Sequence, residues 1–422
     1  MIDSFDSPEQ VRLLTRELVA LQDQLAAIHM LAEQLGGGVD LKTTVRSVVT
    51  AAHQALGVER AGLLLALPER PLISHNVPEN AFCEASLEEF LSRVEKQGDY
   101  CLESGPSGAP PLPQRLANRL LLPLSLHGKI HGVLVLQNDG PTPFTTPGIK
   151  LAEALVTQAR VPIEQQLWAE AQVAQAVLAA QLDMAREVQR VLLPPAPPPV
   201  AGIEVWAAYD ALHEVGGDFY DLLATPHDGL LLSIGDVCGK GVAAAMLMTM
   251  TRTTLRNGAG FLQQNTPAHL LAHANDALYD DFAALGMFAS LFVAQVAPQE
   301  AKLTYANAGH APVIYCPAGG DARLLPAGQP ALGLLRDAAV NETVVDFSPG
   351  DLLVVATDGY LEALNPEGEQ FGYDRLLEAV TRCAGQTAAS IGAIIQAVVA
   401  TFGGSRPRQD DQTLLVIKGV PG

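Results

Sequence analysis

The chain has 422 residues, with 26 Lys and Arg against 46 Asp and Glu, a formal net charge of −20. That balance leaves no basic footprint for a phosphate backbone or for anionic lipid, which excludes nucleic-acid binding and membrane docking as functions. Hydrophobic residues at 48 % and charged residues at 17 % exclude a disordered chain.

The length suits two or three domains. The five cysteines form no CxxC pair, a usage that fits a reducing interior rather than a secreted disulfide scaffold. No stretch reaches the roughly 18 apolar residues of a membrane span, and the first residues lack the basic start of a signal peptide. The expectation is a cytoplasmic protein.

Leu14, Leu18, Leu21, Leu25, Ile28, Ala32 and Leu35 recur at alternating steps of four and three, a heptad seam ended by Gly36-Gly37-Gly38. Residues 1–38 therefore read as a coiled-coil-like helix, seated on a second copy or on the chain's own next domain. Residues 39–165 read as a mixed α/β unit. It has a helix over about Leu41 to Leu56, strands near Ala61–Leu67, Leu120–Leu126 and Ile130–Gln137, and a helix from about Gly148 to Trp168. The turn at His127-Gly128-Lys129 makes the last two strands a hairpin. This order, with the apolar run from Leu122 to Leu136, resembles a GAF sensor domain. The resemblance implies an input, which a cyclic nucleotide, haem, a small metabolite or a protein partner would supply.

Residues 166–193 continue as one helix rich in Ala, Gln and Leu. Leu178, Leu182, Ala185 and Leu192 offer a homodimer seam along it. The prolines from Pro194 to Pro199 stop the helix and stiffen the joint, so 166–199 reads as a linker. Beyond it, strand-like runs fall at Leu230–Ile234, Ser290–Val296, Lys302–Tyr305, Pro312–Tyr315, Leu352–Ala356 and Thr413–Lys418. Helical stretches fall at about 241–256, 267–282, 373–383 and 387–402. Many strands with two pairs of helices suggest an α+β sandwich over residues 200–422.

The strand-like runs carry aspartate beside glycine at their ends: Gly217-Asp218, Gly235-Asp236 and Asp358-Gly359, with Asp410-Asp411 just before the last run. Glycine lets the backbone turn sharply and approach a ligand closely. Several carboxylates converging on one sheet edge repel unless a cation sits between them. Hard oxygen ligands without a Cys or His cluster select Mg²⁺ or Mn²⁺ over Zn²⁺. Two such ions roughly 3.5–4 Å apart acidify a water and clamp a phosphoryl oxygen. Spacing alone leaves each Asp-Gly free to be a simple turn.

Five blocks in order carry a resemblance. They are Glu214-Val-Gly-Gly-Asp-Phe-Tyr-Asp221, Gly235-Asp-Val-Cys-Gly-Lys-Gly241, Asn307-Ala-Gly-His310, Thr357-Asp-Gly-Tyr-Leu-Glu-Ala363 and Asp410-Asp-Gln-Thr413. Together with the lead-in Ala185-Arg-Glu-Val-Gln-Arg-Val-Leu-Leu-Pro194, they resemble the bacterial SpoIIE/RsbU-type, PP2C-like protein phosphatases. The resemblance implies an α-β-β-α sandwich and two divalent ions, Mn²⁺ or Mg²⁺. Asp236 and the carbonyl of Val237 would bridge both ions, Asp218 would hold one, and Asp358 and Asp410 would complete the other. Asp411 ranks second to Asp410. The implied reaction is hydrolysis of a phosphoserine or phosphothreonine ester by metal-activated water, on a small anti-sigma-antagonist-type protein.

Cys238 departs from the serine usual in its block and reads as a small packing residue. Ser290 replaces a common threonine. The phosphate-gripping arginine of eukaryotic relatives has no counterpart. His310 reads as a turn-stabilising residue before a candidate general acid, and Lys240 as a solvated turn residue before a phosphate contact. Asp221 and Glu362 are either outer groups of the site or surface residues.

Two readings compete. Gly239-Lys-Gly241-Val-Ala-Ala244 fits a dinucleotide fingerprint, but no acid stands near Ala259 to take a ribose. A catalytically silent signalling scaffold is the other alternative, against which the retained aspartates speak.

Overall fold

The computed structural model describes residues 40–67, 72–75, 84–104, 118–138, 144–212, 214–225, 229–261 and 266–422, with scattered positions between 11 and 29. Most of the heptad seam expected over 1–38 lies outside the described residues. The chain divides into two compact units, Met1–Val177 and Leu178–Gly422.

In the first unit, helix α1 (Leu41–Leu56) starts at Asp40, whose carboxylate accepts from Thr43 N at 2.9 Å, and stops at Gly57 in the left-handed region. Strands β1 (Arg60–Leu65), β2 (Leu72–His75), β3 (Cys101–Ser104), β4 (Asn118–Leu126) and β5 (Lys129–Asn138) form one antiparallel sheet in the order β2-β1-β5-β4-β3. The predicted hairpin joins β4 to β5. Its two-residue loop, His127 (φ 49°) and Gly128 (φ 77°), has both residues at positive φ, the pattern that matches strand twist. On one face of the sheet, α1 and the start of helix α3 (Thr146–Leu192) bury Val45, Val48, Leu63, Leu65, Leu134, Leu155 and Ala159. On the other face, helix α2 (Glu84–Gln97) covers Leu64, Leu121 and Val133 with Phe90 and Val94. The sequence reading missed α2, β2 and β3, which are short or weakly patterned. Helix α3 is a single run of 47 residues, uniting the two helical segments expected on either side of residue 166.

The second unit holds two five-stranded antiparallel sheets. The first runs β13-β10-β9-β8-β7 and the second β12-β11-β14-β15-β6. The central strands are β8 (Leu230–Val237), β9 (Ala289–Ala297) and β10 (Lys302–Ala308) in the first sheet, with β11 (Val313–Cys316), β14 (Leu352–Ala356) and β15 (Gln412–Gly419) in the second. The flanking strands are β6 (Ile203–Asp210), β7 (Asp218–Ala224), β12 (Arg323–Leu324) and β13 (Thr343–Asp346). Sequence reading missed these four because they are short, exposed or interrupted by polar residues, as edge strands are.

Alternation along each strand sorts its side chains between two layers. Leu353, Val355, Leu415 and Ile417 join the core between the sheets, while Leu352, Val354, Leu414 and Val416 face the opposite way. There they pack under helices α6 (Gly372–Cys383) and α7 (Ala388–Gly403). A Cβ on Gly392 of α7 would lie 2.1 Å from the Trp206 ring, so only glycine lets this helix settle on β6. Helices α4 (Val242–Phe261) and α5 (Pro267–Leu285) cover the outer face of the first sheet through Leu247, Met248, Leu271 and Phe282. The result is the expected α-β-β-α sandwich.

Candidate functional site

The site begins with sheet register. On β7 and β8, Asp218 stands directly opposite Asp236, and on β8 and β9, Asp236 stands opposite Ser290. Residues directly opposite share a face, so all three point toward the second sheet. The aspartates do not all end strands as expected: Asp218 opens β7, and Asp236 lies inside β8 next to Val237. Asp358 opens a short 3₁₀ turn after β14, and Asp410 lies just before β15.

Two threonines that the sequence reading passed over join the sheets here. Thr357 and Thr413 continue the inward faces of β14 and β15, and each donates its hydroxyl to Asp218 Oδ2 at 2.7 Å. Asp218 is only 2 % exposed. Burial, and then the charge of Asp236, hold its carboxyl well above the usual range, against the two hydroxyl hydrogen bonds. Burial followed by the charges of Asp358 and Asp410 pushes Asp236 up to about 7, and its carboxyl hydrogen-bonds that of Asp218. Asp358 is raised by burial, then by Glu362 and Asp410. The five aspartates named from the sequence therefore share one end of the sandwich.

Among the described residues no Lys or Arg forms an ion pair with Asp218 or Asp236. Two unit charges 4 Å apart repel by about 4 kcal/mol at an effective dielectric of 20, so such a cluster needs a shared proton or a cation. No three His, Cys, Asp or Glu side chains among the described residues stand in a ready-made ligand cage. In donor chemistry the cluster fits hard divalent ions: all its side-chain donors are carboxylate oxygens. The Val237 carbonyl lies beside them, only 2.6 Å from where a Cβ on Gly217 would sit.

Asp411 differs from its neighbours. Its Oδ1 accepts from Leu212 N at 2.7 Å and its Oδ2 from Gly217 N at 2.9 Å, so its carboxylate fastens the segment leading into β7. Lys240 is not a free turn residue. Its Nζ lies 3.2 Å from Asp410 Oδ2 and donates to Gln409 O at 2.6 Å.

A cavity of about 370 Å³ opens beside the aspartates, lined by Asp236, Asp358, Glu362, Ser290, Cys238 and Tyr373, among others. Cys238 Sγ accepts from Phe288 N at 3.1 Å while Cys238 N donates to Phe288 O at 2.9 Å, a packing arrangement. His310 is 1 % exposed, and burial holds its ring down to about 4, hence neutral. Its backbone N–H donates to Asn307 Oδ1 at 2.8 Å, its carbonyl accepts from Asn307 Nδ2 at 2.9 Å, and Nδ1 lies 2.8 Å from Ser290 Oγ. It is a turn-holding residue one step behind the cavity wall. Asp221 is neither at the site nor on the surface: it lies buried beneath α4, 3.3 Å from Arg252 and 3.7 Å from Arg256.

A two-sheet sandwich flanked by helix pairs, with an aspartate cleft at one end, is the PP2C-like fold. Residues 226–419 match the family model described as Stage II sporulation protein E (SpoIIE), and residues 40–163 match the GAF domain model. Residues 226–419 are thus similar to the SpoIIE family and residues 40–163 to the GAF family. It is 30 % identical over 261 residues to Protein IcfG of Synechocystis sp., covering 56 % of this chain and 41 % of that one. It is 26 % identical over 192 residues to Phosphoserine phosphatase RsbU of Bacillus subtilis, covering 45 % of this chain and 56 % of that one. The chain thus spans about half the length of these relatives. In fold it is similar to the SiaA-PP2C domain of Pseudomonas aeruginosa, with a TM-score of 0.52 at 23 % identity, over 58 % of this chain and 98 % of that domain. Among the described residues no helix is long and apolar enough to cross a membrane.

Proposed function

We propose that this protein is a divalent-metal-dependent phosphatase that hydrolyses phosphoserine or phosphothreonine on a protein of the anti-sigma-factor-antagonist type. The observation that carries the reading is the buried Asp218–Asp236 pair, with Asp358 and Asp410 beside it and, among the described residues, no ion-paired Lys or Arg on either member of the pair. Asp218, Asp236, the Val237 carbonyl, Asp358 and Asp410 would hold two ions, Mn²⁺ or Mg²⁺, with Asp411 fixing the backbone around them. Bound ions of this kind offset phosphoryl charge and acidify water. The chain's own groups do the rest: Thr357 and Thr413 orient Asp218, the cavity beside Asp358 receives the ester, and Ser290, Cys238 and Tyr373 shape its wall. A relative named as a phosphoserine phosphatase supports the substrate class.

In this reading residues 39–165 receive a small-molecule or protein input, 166–199 carry it, and 200–422 hydrolyse the ester. Helix α3 supports the middle step, because it runs unbroken across the unit boundary at Val177–Leu178. The chain acts as a homodimer. Of the expected seam, Leu178 is exposed and Leu182, Ala185 and Leu192 are half-buried; Val177, Met184 and Val191, spaced by seven, are exposed apolar residues on the same helix.

The test is Mn²⁺-dependent turnover of p-nitrophenyl phosphate and of phosphorylated candidate antagonists. Unchanged rates in Asp236→Asn and Asp358→Asn at saturating Mn²⁺ would sink the reading. A monomer in sedimentation at micromolar concentration would sink the dimer.

A further inference from the structure

The last turns of helix α3 reach the aspartate cleft through one side chain. Gln189 is 5 % exposed. Its Nε2 donates to the carbonyl of Gly216 at 2.7 Å, and its Oε1 accepts from Gly216 N at 3.1 Å. A planar amide donates and accepts at once, so it pairs with both the N–H and the C=O of one residue, as a neighbouring strand would. The gripped segment has no slack. A Cβ on Gly216 would lie 2.4 Å from Asp411 Oδ2, and one on Gly217 would lie 2.6 Å from the Val237 carbonyl. Asp411 holds Gly217 N from the other side at 2.9 Å. The next residue is Asp218. A further tie, in which the Tyr220 Oη hydroxyl donates to the Pro194 carbonyl at 3.2 Å, joins β7 to the chain just beyond the helix.

We infer that Gln189 is a positioning residue for the aspartate site: by clasping Gly216 it sets the register of Asp218 against Asp236 and the Val237 carbonyl, and so sets the affinity of the site for divalent cations. The inference rests on the phosphatase reading only for its kinetic consequence. Removing the amide frees Gly216 and leaves two buried backbone groups unpaired. Gln189→Glu keeps the shape and one acceptor but turns a second oxygen toward the Gly216 carbonyl, so it too breaks the clasp.

The experiment uses the 422-residue chain with Gln189→Ala and Gln189→Glu. Mn²⁺ dissociation constants are measured by calorimetry, and p-nitrophenyl phosphate turnover is followed across a Mn²⁺ titration. We expect both variants to bind Mn²⁺ about 10-fold more weakly or worse, the equivalent of about 1.4 kcal/mol. We expect kcat to recover at saturating Mn²⁺ and KM for the ester to stay unchanged. An unchanged Mn²⁺ dissociation constant in either folded variant overturns the inference, as does a kcat loss that added Mn²⁺ leaves in place. Should Gln189→Ala fail to unfold cooperatively, Gln189→Glu alone decides by the same criterion. A wild-type chain that binds Mn²⁺ but turns over no ester defeats the phosphatase reading and leaves the calorimetric comparison intact.

Discussion

Strand β7 carries two buried aspartates three residues apart, and the two sides of its sheet treat them in opposite ways. An odd spacing puts them on opposite faces. Asp221 points under α4, where Arg252 and Arg256 neutralise it. Asp218 points between the sheets, where it meets two threonine hydroxyls and a second aspartate. The first unit repeats the neutralised case: Glu103 lies between Arg93 and Arg119, 3.3 Å from the latter, with Arg119 stacked 5.1 Å from the Phe90 ring centre. A charge matched inside the protein serves the fold. A charge left unmatched in a cleft asks for something from outside, and this contrast locates the site more sharply than burial does.

The contrast can be broken most directly at the unmatched end. Asp236→Asn and Asp358→Asn should each lower p-nitrophenyl phosphate turnover by about 100-fold or more, since each removes part of several kcal/mol of charge stabilisation. The folded fraction, followed by circular dichroism, should stay unchanged. At the matched end, Arg252→Ala should cost about 3 kcal/mol in urea unfolding, the low end for breaking a buried pair, because Asp221 keeps only the half-exposed Arg256 3.7 Å away. If Arg252→Ala is silent, the pair is no structural tie. Glu103→Ala in the first unit should cost less, about 1.5–3 kcal/mol, as Arg93 is partly exposed and the buried Arg119 keeps its stack on Phe90; p-nitrophenyl phosphate turnover should survive it.

The smallest effect is on pH. In the metal-free protein Asp218 and Asp236 keep protons that the unfolded chain has already lost, because their folded values are raised, Asp236 to about 7. Stability is therefore present at lower pH and lost as pH rises through that value. His310, lowered to about 4, acts in the opposite direction, but only as pH falls below about 6.5. With EDTA, the melting temperature should fall by a few degrees between about pH 6.5 and pH 8. Asp236→Asn should flatten that slope, and saturating Mn²⁺ should replace it with a stabilisation. A slope unchanged in Asp236→Asn would place the titrating group elsewhere.

Much of the fold was legible because its signals are local. The apolar runs of β8, β9, β14 and β15 are continuous, as strands buried on both faces are. Helix α1 follows its periodicity from Leu41 to Leu56. Strand β7 was harder to read: its run Asp218-Phe-Tyr-Asp221 is punctuated by charge, and only pairing with β8 makes it a strand. The aspartates themselves could be named from short blocks. The groups that orient them could not: Thr357 and Thr413 reach Asp218 across 139 and 195 residues of chain, and Gln189 reaches Gly216 from a different element.

By itself the sequence determined the elements with continuous apolar runs or clear periodicity, their apolar faces and which acids stand beside flexible glycines, because propensity and periodicity act within a few residues. Only the tertiary structure decided which charges are matched. Asp221 met Arg252 and Asp218 met Asp236 because alternation along one strand sends neighbours to opposite faces, and what waits on each face comes from distant parts of the chain.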